Sequence, residues 1–137
     1  MSMNRRTFLT GAAAAAVVAS IGKAGAAEHA TDGLPAQNLF YTKENPGRWE
    51  KKAGTHVPHI EIVDGNVKLS TPHPMSEEHF IVRHTLLLAD GTVVGAKTFT
   101  PKDSPISEYA LPDGYKGKVF GTSFCNQHDF WLVEAKV

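Results

Sequence analysis

The chain has a single cysteine among its 137 residues, and no apolar run long enough to cross a bilayer, for which about 20 residues are needed. A lone cysteine excludes an intramolecular disulfide framework. Neither charge is in excess, since 14 lysines and arginines face 14 aspartates and glutamates. That balance argues against a nucleic-acid partner. Sustained helical periodicity is missing beyond the N-terminal segment, and so are internal repeats and low-complexity tracts. These absences leave a small, β-rich globular domain.

The N-terminal segment belongs to a different class. Asn4-Arg5-Arg6-Thr7-Phe8-Leu9 is followed by an apolar run from Gly11 to Ile21, then Lys23 and the small residues Ala24-Gly25-Ala26. This reads as a twin-arginine export signal over residues 1–26, which places the mature protein in the periplasm. The run is too short for a membrane span, so no span is expected in the mature form. Cleavage after Ala26 leaves 111 residues and removes Arg5, Arg6 and Lys23 without any acidic residue, so the net charge becomes −3. In an exported protein a free thiol is exposed to oxidation unless something holds it, and a metal would.

Residues 27–50 are polar and broken by Asp32-Gly33 and Asn45-Pro46-Gly47, which predicts an arm with little regular structure. Residues 51–137 read as one domain of short strands: Val57 to Val63, Val67 to Leu69, Phe80 to Leu88, Thr92 to Thr100, Ile106 to Leu111, Lys118 to Phe124 and Phe130 to Val137. Asp64-Gly65, Asp90-Gly91 and Asp113-Gly114 supply the turns. About seven strands with no helix predict an all-β antiparallel sandwich, with a closed barrel as the alternative.

The candidate chemistry lies between the strands. Cys125 and His128 form a C-x-x-H pair, His73 and His79 bracket H-P-M-S-E-E-H, and His56 sits in T-H-V-P. Thiolate and imidazole together suit zinc, copper or iron. Structural zinc takes four ligands, one fewer than are present. Blue copper adds a methionine shortly after its late histidine, and none follows His128 here. Five ligands on iron leave one octahedral position for a small molecule. His84 falls on the apolar face of its strand, with Phe80, Val82, Leu86 and Leu88, and reads as a core histidine. His59 is left outside the ligand set, and His29 is read as solvated.

T-H-V-P-H-I-E, H-P-M-S-E-E-H-F-I and F-C-N-Q-H-D-F-W, in this order, resemble the iron-binding domain of superoxide reductases, the desulfoferrodoxin and neelaredoxin family. The resemblance runs from about Trp49 to the C-terminus. With no N-terminal four-cysteine centre, the chain is similar to the single-iron class. The resemblance implies an immunoglobulin-like sandwich and mononuclear iron held by His56, His73, His79 and His128 with Cys125 axial. It implies reduction of superoxide to hydrogen peroxide, an external electron donor such as a rubredoxin-like protein, and a homo-oligomer.

The chain departs from the family pattern in three places. The family carries Glu-Lys just before the first histidine, where this chain has Gly54-Thr55. Lys51 and Lys52 are the substitutes offered for steering superoxide. Asp129 replaces a glycine after C-N-x-H, and His59 replaces an aliphatic residue. A non-enzymatic electron carrier or redox sensor on the same scaffold, and a copper-binding sandwich protein, stay open at this level.

Overall fold

The computed structural model describes residues 39–137. The export signal expected over 1–26, His29, and the first part of the arm lie outside the described residues. In chain order the elements are β1 (Phe40–Tyr41), a 3-10 helix (Gly47–Lys52), α1 (Ala53–His56), β2 (His59–Val63), β3 (Asn66–Ser70), β4 (Ile81–Leu88), β5 (Val93–Thr98), β6 (Ile106–Ala110), β7 (Lys118–Cys125) and β8 (Asp129–Lys136). A five-stranded sheet has the order β1-β8-β7-β4-β5, and a three-stranded sheet has β2-β3-β6. The expected all-β sandwich is present, and its seven longer strands lie close to their predicted limits.

The short helices correct the expectation of none. At six and four residues they are too brief to show a 3.6-residue pattern. Pro46 starts the first of them by accepting from the Trp49 N–H at 2.9 Å. The second closes with the Val57 N–H on the Ala53 carbonyl at 3.1 Å. The end of the arm is also ordered, since Phe40 and Tyr41 pair in parallel with Phe130 and Trp131 of β8. None of the described helices is long and apolar enough to cross a membrane.

Alternation decides the core. Val67 and Leu69 of β3 face Leu86 and Leu88 of β4 and Val119 of β7, all buried between the sheets with Leu111. Close contact there requires glycine at position 121, because a Cβ would lie 2.6 Å from Leu69 Cδ2. The Asp64-Gly65 hairpin forms as the sequence suggests. Val63 pairs with Asn66, and the two loop residues have φ of 50° and 77°. Such a two-residue turn matches the twist of its strands.

One detail of β4 corrects the reading of its inner face. His84, Leu86 and Leu88 are buried, but the parity then changes, and Ile81 is buried while Phe80 and Val82 are only half-buried. The cause is a bulge between Ile81 and Arg83, which pair with Cys125 and Phe124 respectively. One extra residue reverses the side-chain direction beyond it. Ile81 therefore packs with Phe99 and Cys125 in a small second core, at the end of the sandwich where β7 finishes and β4 and β8 begin.

Candidate metal centre

Local structure at this end turns four imidazoles and the thiol toward one another. Cys125 is the last inward residue of β7, and the chain reverses over Asn126, Gln127 and His128 before Asp129 opens β8. His128 is fixed from behind by its carbonyl, which accepts from Trp131 Nε1 at 2.9 Å. His56 ends α1, and its Nδ1 lies 3.0 Å from the Lys52 carbonyl and 2.9 Å from Thr55 Oγ1. A proton on Nδ1 satisfies both oxygens and leaves Nε2 with a free lone pair.

The segment carrying His73 and His79 is shaped by its own turn and tied to the cysteine loop. Ser76 and His79 exchange backbone hydrogen bonds of 3.0 and 3.2 Å. The Glu78 carbonyl accepts from Asn126 Nδ2 at 3.0 Å and from Gln127 Nε2 at 2.7 Å. Asn126 Oδ1 in turn accepts the Phe80 N–H at 3.1 Å. The polar residues of C-N-Q-H thus stitch two remote loops together.

Donor atoms of His56, His73, His79, Cys125 and His128 all lie within 4.8 Å of one another. His128 Nδ1 is 3.0 Å from His56 Nε2, 2.9 Å from His79 Nε2 and 3.6 Å from Cys125 Sγ. His73 Nε2 is 3.0 Å from His79 Nε2. One ring nitrogen carries at most one proton, so His128 Nδ1 cannot donate along all of these contacts. Lone pairs converging in this way call for a cation.

The distances also discriminate between geometries. With metal–nitrogen bonds of about 2.0–2.1 Å, neighbouring nitrogens at right angles are about 2.9 Å apart, and at tetrahedral angles about 3.4 Å. The observed 2.9–3.0 Å fits right angles, so four nitrogens and one sulfur suit a five- or six-coordinate ion. A closed tetrahedral zinc site does not fit them.

Burial keeps the donors in ligand form. It pushes His56 and His73 down to about 4, with the adjoining imidazoles adding to the effect. His79 and His128 are lowered too, first by burial. All four are neutral near pH 7. Burial raises the Cys125 thiol, while the N–H groups of Gln127 and His128 donate to Sγ and oppose that rise. A bound cation would convert the thiol to thiolate, with those N–H groups already in place. Among the described residues Nδ1 of His73 has no partner at hydrogen-bonding geometry, and that ring packs on His56 and His79, with centroids 4.4 Å from each.

Among the described residues, the two remaining histidines stay out of the cluster. His84 is fully buried in the core, within 2.8 Å of Thr71 Oγ1 and 2.9 Å of Ser107 Oγ, as a satisfied core histidine should be. His59 is exposed on β2. The two lysines separate. Lys51 is exposed, whereas the positive charge of Lys52 lowers His73, His79 and His128 and favours the Cys125 thiolate. A groove of about 400 Å³ bounded by Lys43, Gly54, Pro58, His59 and Val133 holds none of the five clustered donors and neither Lys51 nor Lys52.

Arg48 is a neighbour of the site that the sequence did not single out. It donates to Asp129 Oδ2 at 2.6 Å, and Trp49 Nε1 donates to the same oxygen at 2.9 Å. Arg48 lies 81 positions and Trp49 80 positions from Asp129, and no local signal connects them.

A family model described as Desulfoferrodoxin matches residues 48–134. The chain is 32% identical over 108 residues to the superoxide reductase of Pyrococcus abyssi, covering 66% of this chain and 92% of that protein. It is 31% identical over 108 residues to the superoxide reductase of Pyrococcus horikoshii, with the same coverage. Among solved structures, the superoxide reductase (neelaredoxin) of Ignicoccus hospitalis matches with a TM-score of 0.63 and 26% identity, covering 72% of this chain and 94% of that one.

Proposed function

The chain belongs to the desulfoferrodoxin family, and on that premise we propose that it is a superoxide reductase with one iron, held by His56, His73, His79, His128 and Cys125. The observation that carries this reading is the convergence of four neutral imidazole nitrogens at right-angle spacing beside one thiol. Bound there, iron would supply the one-electron chemistry that takes superoxide and two protons to hydrogen peroxide.

The chain's own residues do the rest. Gln127 and His128 hold the sulfur of Cys125 through their N–H groups and moderate its donor strength. Hydrogen bonds from His56 Nδ1 to the Lys52 carbonyl and Thr55 Oγ1 fix the tautomer of His56. Lys52 places a positive charge beside the donors and attracts an anion, the part given to lysine in the family pattern. Its position in a helix ahead of His56 offsets the absence of Glu-Lys at Gly54-Thr55. A diatomic anion needs no deep cavity, which agrees with a site formed by loops and element ends at one end of a sandwich.

The reductase also requires an electron from outside, and a small redox protein of the rubredoxin type is the proposed donor. Assembly as a homo-oligomer is part of the proposal, supported by the exposed side chains of Leu39, Phe40 and Phe130. So is export to the periplasm by the twin-arginine route, supported by Arg5-Arg6 and the apolar run behind them. Fractionation of cells making the full chain and an Arg5→Lys, Arg6→Lys variant tests export. Retention of the variant in the cytoplasm is expected.

The deciding experiment is anaerobic iron loading followed by a pulse of superoxide. One iron per chain, one hydrogen peroxide per superoxide and no released dioxygen are expected. Iron that binds without reacting would move the function to electron transfer or sensing. Release of dioxygen would make the protein a dismutase.

A further inference from the structure

Asp129 occupies a backbone conformation that favours glycine, with φ of 62°, in the residue that follows His128. An aspartate there is strained relative to glycine, yet its carboxylate is engaged. Oδ2 accepts from Arg48 Nη2 at 2.6 Å and from Trp49 Nε1 at 2.9 Å. Arg48 also lies over the Trp49 ring, 4.8 Å from its centroid. Trp49 meets His128 edge to face, with centroids 4.6 Å apart and planes at 87°. Arg48 and Trp49 belong to the 3-10 helix that runs directly into α1 and His56.

On the reading that the cluster holds a metal, we infer that Asp129 is a positioning residue for it. Its carboxylate clamps Trp49 against the His128 imidazole and ties the helix before His56 to the loop bearing Cys125 and His128. His56 is oriented by a hydrogen bond to its far nitrogen. His128 is oriented by its perpendicular contact with the Trp49 ring, and the clamp fixes where that ring rests. The left-handed backbone and the clamp are linked, because the φ at position 129 turns the carboxylate toward the helix. The 3-10 helix thus meets two ligand rings, His56 through the Lys52 carbonyl and His128 through the Trp49 side chain that Asp129 holds.

The test compares the full chain with its Asp129→Gly, Asp129→Asn and Trp49→Phe forms, using cobalt(II) as the probe. Glycine keeps the backbone conformation and removes the clamp. Asparagine keeps an acceptor for Trp49. Phenylalanine keeps a ring against His128 and removes the donor.

Loss of a contact supporting a ligand weakens metal binding by about tenfold or more. Asp129→Gly and Trp49→Phe are each expected to weaken cobalt(II) binding by about tenfold and to alter its visible absorption, with no further loss on combining them. Asp129→Asn should stay within about threefold. The indole N–H resonance of Trp49 in the metal-free chain should exchange faster with solvent in Asp129→Gly than in the parent or in Asp129→Asn. Unchanged cobalt affinity and absorption in Asp129→Gly would overturn the positioning role while leaving the metal site standing. A parent chain that binds no cobalt would overturn the metal site, and the role with it.

Discussion

Lys52 meets His56 through its backbone and the other donors through its charge. Its carbonyl oxygen accepts from His56 Nδ1 at 3.0 Å, while its ammonium depresses His73, His79 and His128. The carbonyl survives any side-chain substitution, so the two roles can be separated. Lys52→Ala should leave iron content unchanged and slow the second-order reaction with superoxide by roughly threefold to tenfold at low ionic strength. The difference should fade as salt shortens the Debye length to about 3 Å near 1 M. Lys51→Ala should react like the parent. Pulse-generated superoxide at several salt concentrations measures both, and an unchanged rate in Lys52→Ala would remove Lys52 from the mechanism.

Asn126 joins two loops that share no sequence neighbourhood. Its side chain donates to the Glu78 carbonyl and accepts from the Phe80 N–H. Asn126→Ala should weaken metal binding by about 10–100-fold, since the histidine loop loses its register with Cys125. Equilibrium competition with a chelator reads this directly. Asn126→Asp should fall between the two, because it keeps the acceptor and loses the donor.

His84 makes stability depend on pH from inside the core. Burial pushes it down to about 4 from the usual 6.5, and the charge of Lys97 acts in the same direction. The unfolded chain therefore binds a proton that the folded one refuses. Stability is complete above about 6.5 and is lost as pH falls toward 4, by roughly 3 kcal/mol from this residue. His84→Gln should flatten this part of the profile. It should also cost about 1–3 kcal/mol at pH 7, because Thr71 and Ser107 cannot both be satisfied as before. Urea unfolding of the metal-free chain between pH 4 and 8 measures both effects, and identical slopes in the two proteins would contradict the account.

Gly121 is required by contact and not by its own dihedral angles. A methyl group there would overlap Leu69 Cδ2 and approach Val133 Cγ1 to 3.2 Å. Gly121→Ala should destabilise the sandwich by about 1–3 kcal/mol through overpacking, against the usual small gain from replacing a strand glycine. Pairing it with Leu69→Val should recover part of the loss, and unfolding midpoints of the single and double variants would show it. Additive losses would mean that Leu69 is not the obstacle.

Turn chemistry is local, and Asp64-Gly65 and the alternating apolar residues announced their hairpin and strands without help. The ligand candidates were legible for a related reason. Cysteine and histidine are scarce, and their spacing within T-H-V-P, H-P-M-S-E-E-H and C-N-Q-H keeps a chemical meaning whatever the fold. Even the exclusion of His84 followed from its place on an apolar strand face.

Other features depended on partners far away in the chain. The bulge before Arg83 exchanged Val82 for Ile81 in the core, because strand register is set by the neighbouring strand as much as by the residue. The choice of Lys52 over Lys51 came from a short helix whose length hides its period. Arg48 and Trp49 meet Asp129 across 80 positions or more, a contact that exists only after the sheet has closed. The sequence by itself determined the strand content, the turns and which side chains bear the chemistry, since these rest on residue type and short spacing. Tertiary structure alone decided the right-angle arrangement of the donors, the placing of one positive charge beside them and the clamp on His128, since each requires separate segments to be brought to within a few ångströms.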